Sequence, residues 1–308
     1  MEEMKMYMEA INLTKKYGNF YALRGLNLKI EGKKCVGYLG PNGAGKTTTL
    51  KLFTNLLNPT DGEAIIDGYN VRKEVKKALR DVGALIETPD FYPYLTPVEL
   101  LEMLCRVRGA ENCDIKNALE EVGMYEWRNK KVGKFSKGMK QRIALASAIV
   151  TNPSILILDE PTTGMDPKGM VEIRELIRNL KKDNRLVLMS SHLLPEVTEV
   201  CDEVAMINRG TLLMYDRIES IVERFRGHSV EVTAIEPISP EMILKIDGVK
   251  SVEQSSPTKV RIEFEDGAEM QHRILKEIME MGIKVVEYRA TGMPLEKAYI
   301  ELIGGDER

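Results

Sequence analysis

Residues Gly40–Thr47, with the sequence GPNGAGKT, restrict the possible fold more than any other segment of this 308-residue chain. They follow the apolar run Cys35–Leu39 and precede a helix-compatible stretch. Glycine at positions Gly43 and Gly45 permits backbone angles and close approaches that a β-carbon would block. A strand, a glycine-rich turn and a helix in direct succession are typical of α/β proteins with a parallel sheet. We therefore predict an α/β core built around this turn.

Two further apolar runs support a mainly parallel sheet with helices on both faces. Ile155–Leu158 (ILIL) and Leu186–Met189 (LVLM) are continuously apolar, as strands buried on both faces are. Between these runs, Asp166 is suited to cap a helix that has Pro167 at its first position. Apolar residues then recur at helical spacing, at Ile173, Leu176, Ile177 and Leu180. The sequence therefore predicts a strand, a crossover helix and a second strand here.

The domain organisation follows from changes of pattern along the chain. Residues 88–150 are helix-rich and include a capping box formed by Thr96 and Glu99, so we predict a helical subdomain inserted in the α/β core. A hairpin is expected around Asn208–Gly210, followed by a helix that closes the domain. The first domain is therefore predicted to cover residues 1–227.

Residues 228–308 are predicted to form a separate, small α+β domain. Its strands and helices follow in the order βαββαβ, for which a ferredoxin-like fold is one candidate. The strand Lys259–Glu265 alternates apolar with charged residues, which indicates one buried face. A last helix is predicted to carry Leu295, Ala298, Tyr299 and Leu302 on one side. Two roles stay open for this domain: regulation or stabilisation of a dimer, and a covering module with no ligand of its own.

The charge and hydropathy of the chain argue against some partners and locations. The net charge of −3 gives no overall reason to bind nucleic acid, whose protein partners usually carry a strongly basic face. The longest uncharged stretch, Ile143–Leu158, is interrupted by Asn152 and Pro153 and is shorter than the roughly 20 apolar residues of a spanning helix. The acidic start lacks the pattern of a secretory signal, so a cytosolic location is expected.

The four cysteines, Cys35, Cys105, Cys113 and Cys201, form neither a CxxC pair nor a cluster of metal ligands. In a chain expected in the cytosol, this spacing favours buried, reduced thiols over disulfides or a metal site. We therefore predict four reduced thiols and assign them no function.

The Gly40–Thr47 turn has the composition of a phosphate-binding loop. Successive backbone N–H groups and the N-terminus of the following helix can point at phosphate oxygens. Lys46 would neutralise the β- and γ-phosphates, and Thr47 would offer its hydroxyl to Mg²⁺. The residues predicted to bind the nucleotide, ATP or GTP, are Gly40, Pro41, Asn42, Gly43, Ala44, Gly45, Lys46, Thr47 and Thr48.

Two adjacent carboxylates, Asp159 and Glu160, stand at the end of the ILIL strand. In parallel α/β proteins, ligands bind at the carboxyl ends of the strands. Asp159 would hold Mg²⁺, and Glu160 is the candidate general base that orients and activates the attacking water. The alternative interpretation is a solvated, acidic strand end.

Between these two motifs lies Phe135–Gln141, with the sequence FSKGMKQ, shortly before the ILILDEP strand. With the motifs in this order, residues Met8–Arg226 resemble the ATP-binding-cassette (ABC) ATPases. The resemblance implies a P-loop NTPase cassette of which two copies meet head to tail. Each ATP would lie between the phosphate loop of one copy and the signature serine of the other, so hydrolysis would need a dimer.

The resemblance also implies roles for residues outside the two nucleotide motifs. Tyr17 lies where the family stacks an aromatic ring on adenine, and His192 lies where the switch histidine touches the γ-phosphate. Ser136 and Gly138 lie where the signature motif contacts the γ-phosphate bound by the opposite subunit. Asp166 lies in the loop that communicates across the dimer.

Two positions depart from the family pattern. The signature is FSKGM where the family commonly has LSGGQ, and the added charge of Lys137 lies either near the γ-phosphate site or in solvent. Glu87, in GALIETP, stands where the family usually has a glutamine that contacts the Mg²⁺ shell and relays to the membrane partner. A carboxylate can serve the same metal, so Glu87 is a predicted metal ligand beside Thr47 and Asp159.

In these two departures and in its ending, LEKAYIELIG, the chain is similar to the ATPase subunits of bacterial and archaeal exporters. Those exporters transport drugs, antibiotic peptides and lipid-linked polymers. The resemblance therefore implies an ATPase subunit that works with a separate transmembrane permease, on the inner face of the cell membrane. A homodimer or heterodimer of such subunits would form with ATP bound. Two alternatives stay open: a soluble cassette ATPase acting on ribosomes or DNA, and a regulatory nucleotide binder without hydrolysis.

Overall fold

The computed structural model describes residues 6–87, 90–110, 113–182, 184–225, 229–265 and 268–290. The chain divides into two compact units, Met1–Asp216 and Arg217–Arg308. The boundary predicted at residue 227 lies later, and the helix Ile218–Phe225 lies between the two positions. The predicted last helix with Leu295, Ala298, Tyr299 and Leu302 is outside the described residues.

The first unit combines strands and helices throughout its length. The strands are β1 (Tyr7–Tyr17), β2 (Phe20–Glu31), β3 (Cys35–Leu39), β4 (Asp61–Ile66), β5 (Tyr69–Asn70), β6 (Val82–Leu85), β7 (Ile155–Leu158), β8 (Leu186–Ser191), β9 (Glu203–Asn208) and β10 (Thr211–Arg217). The helices are α1 (Lys46–Phe53), α2 (Val75–Ala78), α3 (Pro97–Arg108), α4 (Ile115–Glu121), α5 (Lys137–Ile149), α6 (Pro167–Lys182) and α7 (Leu194–Val200). Two 3-10 turns, Tyr125–Trp127 and Val132–Lys134, lie between α4 and α5.

The central sheet confirms the predicted, mainly parallel α/β core. Its strand order is β10–β9–β3–β8–β7–β6, and β3, β8, β7 and β6 pair in parallel. β7 and β8 are buried along their whole length, which explains why their sequences lack polar alternation. The crossover helix α6 begins as predicted, because Asp166 Oδ1 accepts a hydrogen bond from the Gly169 N–H at 3.0 Å.

A second, antiparallel sheet was not predicted. Its strand order is β2–β1–β4–β5. β1 and β2 are joined only by Gly18 and Asn19, so the hairpin brings Tyr17 opposite Phe20. The register of this hairpin shifts several times along β1, beginning after Ala10. Such bulges interrupt the period-two alternation by which a half-buried strand is recognised in a sequence.

Helices and turns fill the described residues between β6 and β7, where no strand is found. The predicted capping box is present at the start of α3. The Thr96 hydroxyl accepts a hydrogen bond from the Glu99 N–H, and the Glu99 carboxylate accepts one from the Thr96 N–H. Buried apolar residues from α3, α4 and α5, including Leu101 and Leu119, pack into one cluster with the central sheet. The helical segment is thereby attached to the α/β core.

The prediction of four reduced thiols is wrong for Cys105 and Cys113, which form a disulfide. Cys105 lies in α3, which ends at Arg108, and Cys113 lies just before α4, which begins at Ile115; their Cα atoms lie 6.4 Å apart. This pairing depends on where α3 ends, which the spacing of cysteines in the sequence does not reveal. Cys35 and Cys201 are free thiols, as predicted.

From Ser229 onward the second unit has the predicted order βαββαβ, and it also contains the helix Ile218–Phe225 that was predicted to close the first domain. Its elements are α8 (Ile218–Phe225), β11 (Ser229–Ala234), α9 (Pro240–Ile243), β12 (Val249–Ser256), β13 (Lys259–Phe264), α10 (Ala268–Glu280) and β14 (Val285–Ala290). They build an antiparallel sheet of order β12–β13–β11–β14, with Val260, Ile262 and Phe264 of β13 buried. This arrangement supports the ferredoxin-like hypothesis.

Gly83 on β6 lies at a close approach between the central sheet and α5. A β-carbon at Gly83 would lie 2.0 Å from the Ala148 carbonyl oxygen, which belongs to a helix backbone. Because that backbone would have to move, we predict that Gly83→Ala lowers the free energy of unfolding by about 2 kcal/mol. Urea unfolding measures the change, with Ala84→Ser at the exposed neighbouring position as the control. Equal stability of Gly83→Ala and the wild-type chain would contradict this packing.

Candidate functional site

The glycine-rich loop joins β3 to α1. Gly45 has a φ of 107°, and a β-carbon on it would lie 2.5 Å from the Ala22 carbonyl oxygen, so only glycine fits. α1 begins at Lys46, which leaves the first N–H groups of the helix available to an anion. Behind the loop, the Tyr38 hydroxyl lies 3.1 Å from the Thr49 hydroxyl. Burial raises the pKa of Tyr38, so this side chain stays neutral beneath the loop.

Lys46 is fixed by the loop itself. Its side chain is 6% exposed, and Nζ donates to the carbonyl oxygens of Gly40 and Pro41 at 2.7 and 3.3 Å. Nζ also lies 3.3 Å from Glu160 Oε1. This ion pair connects the loop after β3 with the end of β7. The buried ammonium group of Lys46 and the N-terminus of α1 lie side by side, and both attract anions.

Thr47, Asp159, Glu160 and Ser190 form a hydrogen-bonded group that we call the strand-end cluster. Thr47 Oγ1 donates to Asp159 Oδ2 at 2.8 Å, and Ser190 Oγ donates to Asp159 Oδ1 at 2.6 Å. The Glu160 N–H donates to Ser190 Oγ at 2.9 Å. The cluster thus fixes the Asp159 carboxylate against the predicted metal-binding hydroxyl of Thr47.

Glu160 contacts a different set of partners from those of Asp159. Its Oε2 lies 2.8 Å from His192 Nδ1 and accepts a hydrogen bond from the Thr163 hydroxyl at 3.3 Å. The residue has a φ of 45°, in the left-handed region that non-glycine residues seldom adopt. Such strained backbone is common at functional sites. Glu160 therefore contacts Lys46 with one oxygen and His192 with the other.

A cavity of about 500 Å³ is bounded by the glycine-rich loop, the strand-end cluster and the β1–β2 hairpin. Among the described residues, those that line it are Tyr17, Phe20, Ala22, Asn42, Gly43, Gly45, Lys46, Thr47, Thr48, Glu160, Thr163 and His192. The hairpin contributes aromatic rings, and the loop contributes a lysine and hydroxyl groups. The lining therefore suits a ligand with one flat, apolar part and one anionic part.

Ser136, Gly138 and Asp166, at the starts of α5 and α6, are not among the residues that line this cavity. Ser136 caps α5, where its hydroxyl accepts a hydrogen bond from the Met139 N–H at 3.3 Å, and Gly138 lies in the first turn of that helix. Asp166 caps α6 through Gly169. The structure of one chain does not bring them to the phosphate loop, so their role toward a second copy stays a prediction.

The two residues that depart from the family pattern each have a contact within the chain. Glu87 forms an ion pair with Lys51 of α1, with 2.6 Å between Oε1 and Nζ, so its carboxylate is engaged outside the strand-end cluster. Its role as a metal ligand stays a prediction. Lys137 lies against Gly164, where a β-carbon would be 2.5 Å from Lys137 Nζ. The lysine thus contacts the loop before α6.

No sequence motif indicated a role for Ser190, Thr163 or Phe20. Ser190 lies in β8 after four apolar residues, and the pairing of β8 with β7 brings it next to Asp159. The sequence did contain one signal, the two serines directly before His192. Hydroxyl groups in a buried strand need hydrogen-bond partners, which indicates polar neighbours at this end of β8.

Comparison with known proteins gives consistent matches. The model of the ABC transporter family matches residues 23–163, and a model of an AAA domain matches residues 128–199. The chain is 34% identical over 307 residues to the bacitracin transport ATP-binding protein BcrA of Bacillus licheniformis, covering 98% of this chain and 99% of BcrA. It is 36% identical over 219 residues to the lantibiotic transport ATP-binding protein SrtF of Streptococcus pyogenes, covering 70% of this chain and 94% of SrtF.

Two solved structures of ATP-binding cassettes have a similar fold. The dimeric ATP-binding cassette MJ0796, in a post-hydrolysis state with ADP and Pi, has a TM-score of 0.63 and 27% identity, covering 68% of this chain and 98% of that chain. An ATP-binding subunit of an ABC transporter has a TM-score of 0.64 and 26% identity, covering 71% of this chain and 92% of that chain.

Ser190 is predicted to position the two carboxylates without touching a ligand. We expect Ser190→Ala to lower kcat for ATP hydrolysis about tenfold, as loss of a hydrogen-bond partner of a metal-binding group commonly does. The dissociation constant for ATP should change little, because Lys46 and the loop are unaffected. Ser147→Ala, which removes a hydroxyl bonded to Ile143 in its own helix, serves as the control. An unchanged kcat in Ser190→Ala would refute the positioning role.

Proposed function

The chain belongs to the ABC transporter family as an ATP-hydrolysing, ATP-binding subunit, and we propose that it powers an exporter whose permease is a separate chain. The observation that carries the proposal is the contact of Lys46 with Glu160 and of Thr47 with Asp159 at one wall of the cavity. These are the groups that phosphoryl transfer from ATP to water requires.

The proposed chemistry follows from these contacts. Phosphoryl transfer depends on positioning and on neutralisation of charge. Lys46 and the first N–H groups of α1 would bind the β- and γ-phosphates, and Tyr17 would stack on the base. Glu160 would orient the attacking water and accept its proton. His192, which is hydrogen-bonded to the same carboxylate, would hold Glu160 in place and contact the γ-phosphate.

Thr47 and Asp159 are the residues that would hold Mg²⁺. Their oxygens are hard ligands of the kind that Mg²⁺ prefers, and the two side chains are already in contact. In the part of the chain that is described, no group of three or more His, Cys, Asp and Glu side chains could hold a metal. This agrees with an ion completed by phosphate oxygens and water. When bound, the ion would neutralise the phosphate charge.

Two copies would complete each other's sites. Ser136 and Gly138 lie at the N-terminus of α5, which spans 13 residues and has no acidic side chain in its first turn. A helix N-terminus of this kind attracts an anion through its free N–H groups and its dipole. A second copy, placed head to tail, would direct this end toward the γ-phosphate. The dimeric state of the solved cassette MJ0796 supports such an arrangement.

The permease would dock at an apolar cleft in the first unit. The cleft has a volume of about 400 Å³ and is lined by Leu56, Ile86, Phe91, Leu104 and other residues. Leu56 is 61% exposed and belongs to this apolar lining, so its side chain is available to a partner. Ile86 precedes Glu87, which is paired with Lys51 on α1, so the cleft is connected to the helix that begins at the phosphate loop.

The expected location and cargo follow from the relatives. No helix among the described residues is long and apolar enough to cross a membrane. We propose that the subunit is cytoplasmic and lies on the inner face of the cell membrane through its permease. BcrA and SrtF are named for transport of bacitracin and lantibiotics, which favours a peptide antibiotic or a related molecule as cargo and favours transport over the soluble alternative.

The chemical roles can be separated by two substitutions. Glu160→Gln is expected to bind ATP as the wild-type chain does but to hydrolyse it about a hundredfold more slowly, because the general base is lost. Lys46→Ala is expected to weaken ATP binding about tenfold, because a charge-assisted contact to phosphate is lost. Isothermal titration and phosphate release measure the two quantities. Wild-type affinity in Lys46→Ala, or wild-type turnover in Glu160→Gln, would contradict these assignments.

The transport role is tested by capture of the tagged Glu160→Gln variant, with ATP, from solubilised native membranes. A polytopic membrane protein in fixed ratio is expected, whereas ribosomal or DNA-associated partners alone would contradict the proposal. Leu56→Asp should abolish that co-purification while ATP binding persists, because a charge would enter the apolar cleft. Val107→Asp, at a position on α3 that is 80% exposed and outside the cleft, is the matched control.

A further inference from the structure

The β1–β2 hairpin brings a second aromatic ring to the cavity, beside the predicted stacking residue Tyr17. Tyr17 and Phe20 are direct partners in the hairpin register. Residues directly opposite each other in an antiparallel pair project from the same face, with β-carbons about 5 Å apart. Both side chains line the cavity, together with Lys46 and Thr47 of the phosphate loop. One hairpin thus presents two rings to the same space.

The exposed position of Phe20 contributes little to the stability of the fold. Phe20 is 63% exposed, and Tyr17 is 47% exposed. A single exposed apolar side chain is ordinary on a protein surface. Here, however, the exposed ring forms part of a cavity wall, lies opposite another ring, and is followed along the wall by the methyl group of Ala22. These are the surroundings that a flat heterocycle needs.

We propose that Phe20 is a second base-contacting residue, so that the nucleotide base lies against two aromatic side chains. The proposal rests on the proposed function, because it requires a nucleotide in this cavity. Stacking acts on the π-face that every base has, and it adds affinity without hydrogen bonds to the base edge. Phe20 therefore contributes to the binding of any purine nucleotide and contributes nothing to a ligand that consists of phosphate alone.

The neighbouring ring, Tyr21, is a matched control on the same strand. Successive side chains of a strand point to opposite faces, and Tyr21 is absent from the cavity lining. Its ring has Lys16 Nζ at 4.9 Å and the Arg24 guanidinium carbon at 5.1 Å from its centroid. Tyr21 is 37% exposed, so both aromatic side chains can be truncated near the surface of the same hairpin.

The test compares ADP with pyrophosphate as ligands of the full chain, because neither probe is hydrolysed at this site. Isothermal titration with Mg²⁺ gives both dissociation constants for the wild type, Phe20→Ala, Phe20→Trp and Tyr21→Ala. We expect Phe20→Ala to bind ADP about fivefold to tenfold more weakly, in the range measured for removal of a stacking ring. Pyrophosphate affinity should stay unchanged. Phe20→Trp should keep wild-type ADP affinity, and Tyr21→Ala should resemble the wild type with both ligands.

The alternative results are distinguishable. Wild-type ADP affinity in Phe20→Ala would overturn the role of Phe20 and leave the proposed function intact. Equal weakening of ADP and pyrophosphate would also overturn it, because the substitution would then act on the loop rather than on the base. Failure of the wild-type chain to bind either ligand would overturn the proposed function and this inference with it.

Discussion

The parallel pairing of β3, β8 and β7 is the constraint on which the site depends. The register places Leu39, the last residue of β3, beside Ser191, the last residue of β8. The chain therefore leaves each strand at the same edge of the sheet, and the segments that follow, beginning with Gly40, Asp159 and His192, emerge side by side. The Gly40 N–H donates to the Ser191 carbonyl oxygen, which continues the pairing into the loop. A shift of one residue in any of these pairings would separate the phosphate loop from its carboxylates.

Two adjacent carboxylates, Asp159 and Glu160, have different surroundings in the structure. Asp159 is buried and receives hydrogen bonds from the hydroxyls of Thr47 and Ser190, which suits a fixed oxygen ligand. Glu160 turns away through a left-handed backbone conformation and contacts Lys46 and His192 at the cavity wall. These different contacts support the proposed roles of Asp159 as a cation ligand and of Glu160 as the residue that orients water. The left-handed backbone conformation of Glu160 directs the two carboxylates to different partners.

Local sequence patterns located those parts of the candidate site that are continuous in the chain. The loop from Gly40 to Thr48 and the pair Asp159–Glu160 could be predicted because each follows a buried strand directly. Residues whose position depends on pairing between strands could not be predicted from local patterns, and Tyr17 and His192 were assigned only through the family resemblance. The register of β7 and β8 places Ser190 beside Asp159, and the β1–β2 hairpin places Phe20 at the cavity wall. The disulfide was missed for a related reason, since it depends on the end of a helix rather than on a cysteine pattern.

We propose that ATP bound at the edge of the sheet is enclosed by the N-terminus of α5 from a second copy. Sedimentation velocity of the Glu160→Gln variant tests this proposal most directly, because ATP would stay bound while its hydrolysis is about a hundredfold slower. We expect a monomer without nucleotide and a dimer with saturating ATP and Mg²⁺, and we expect Ser136→Ala in the same chain to weaken the dimer. A chain that stays monomeric at saturating ATP would contradict the claim.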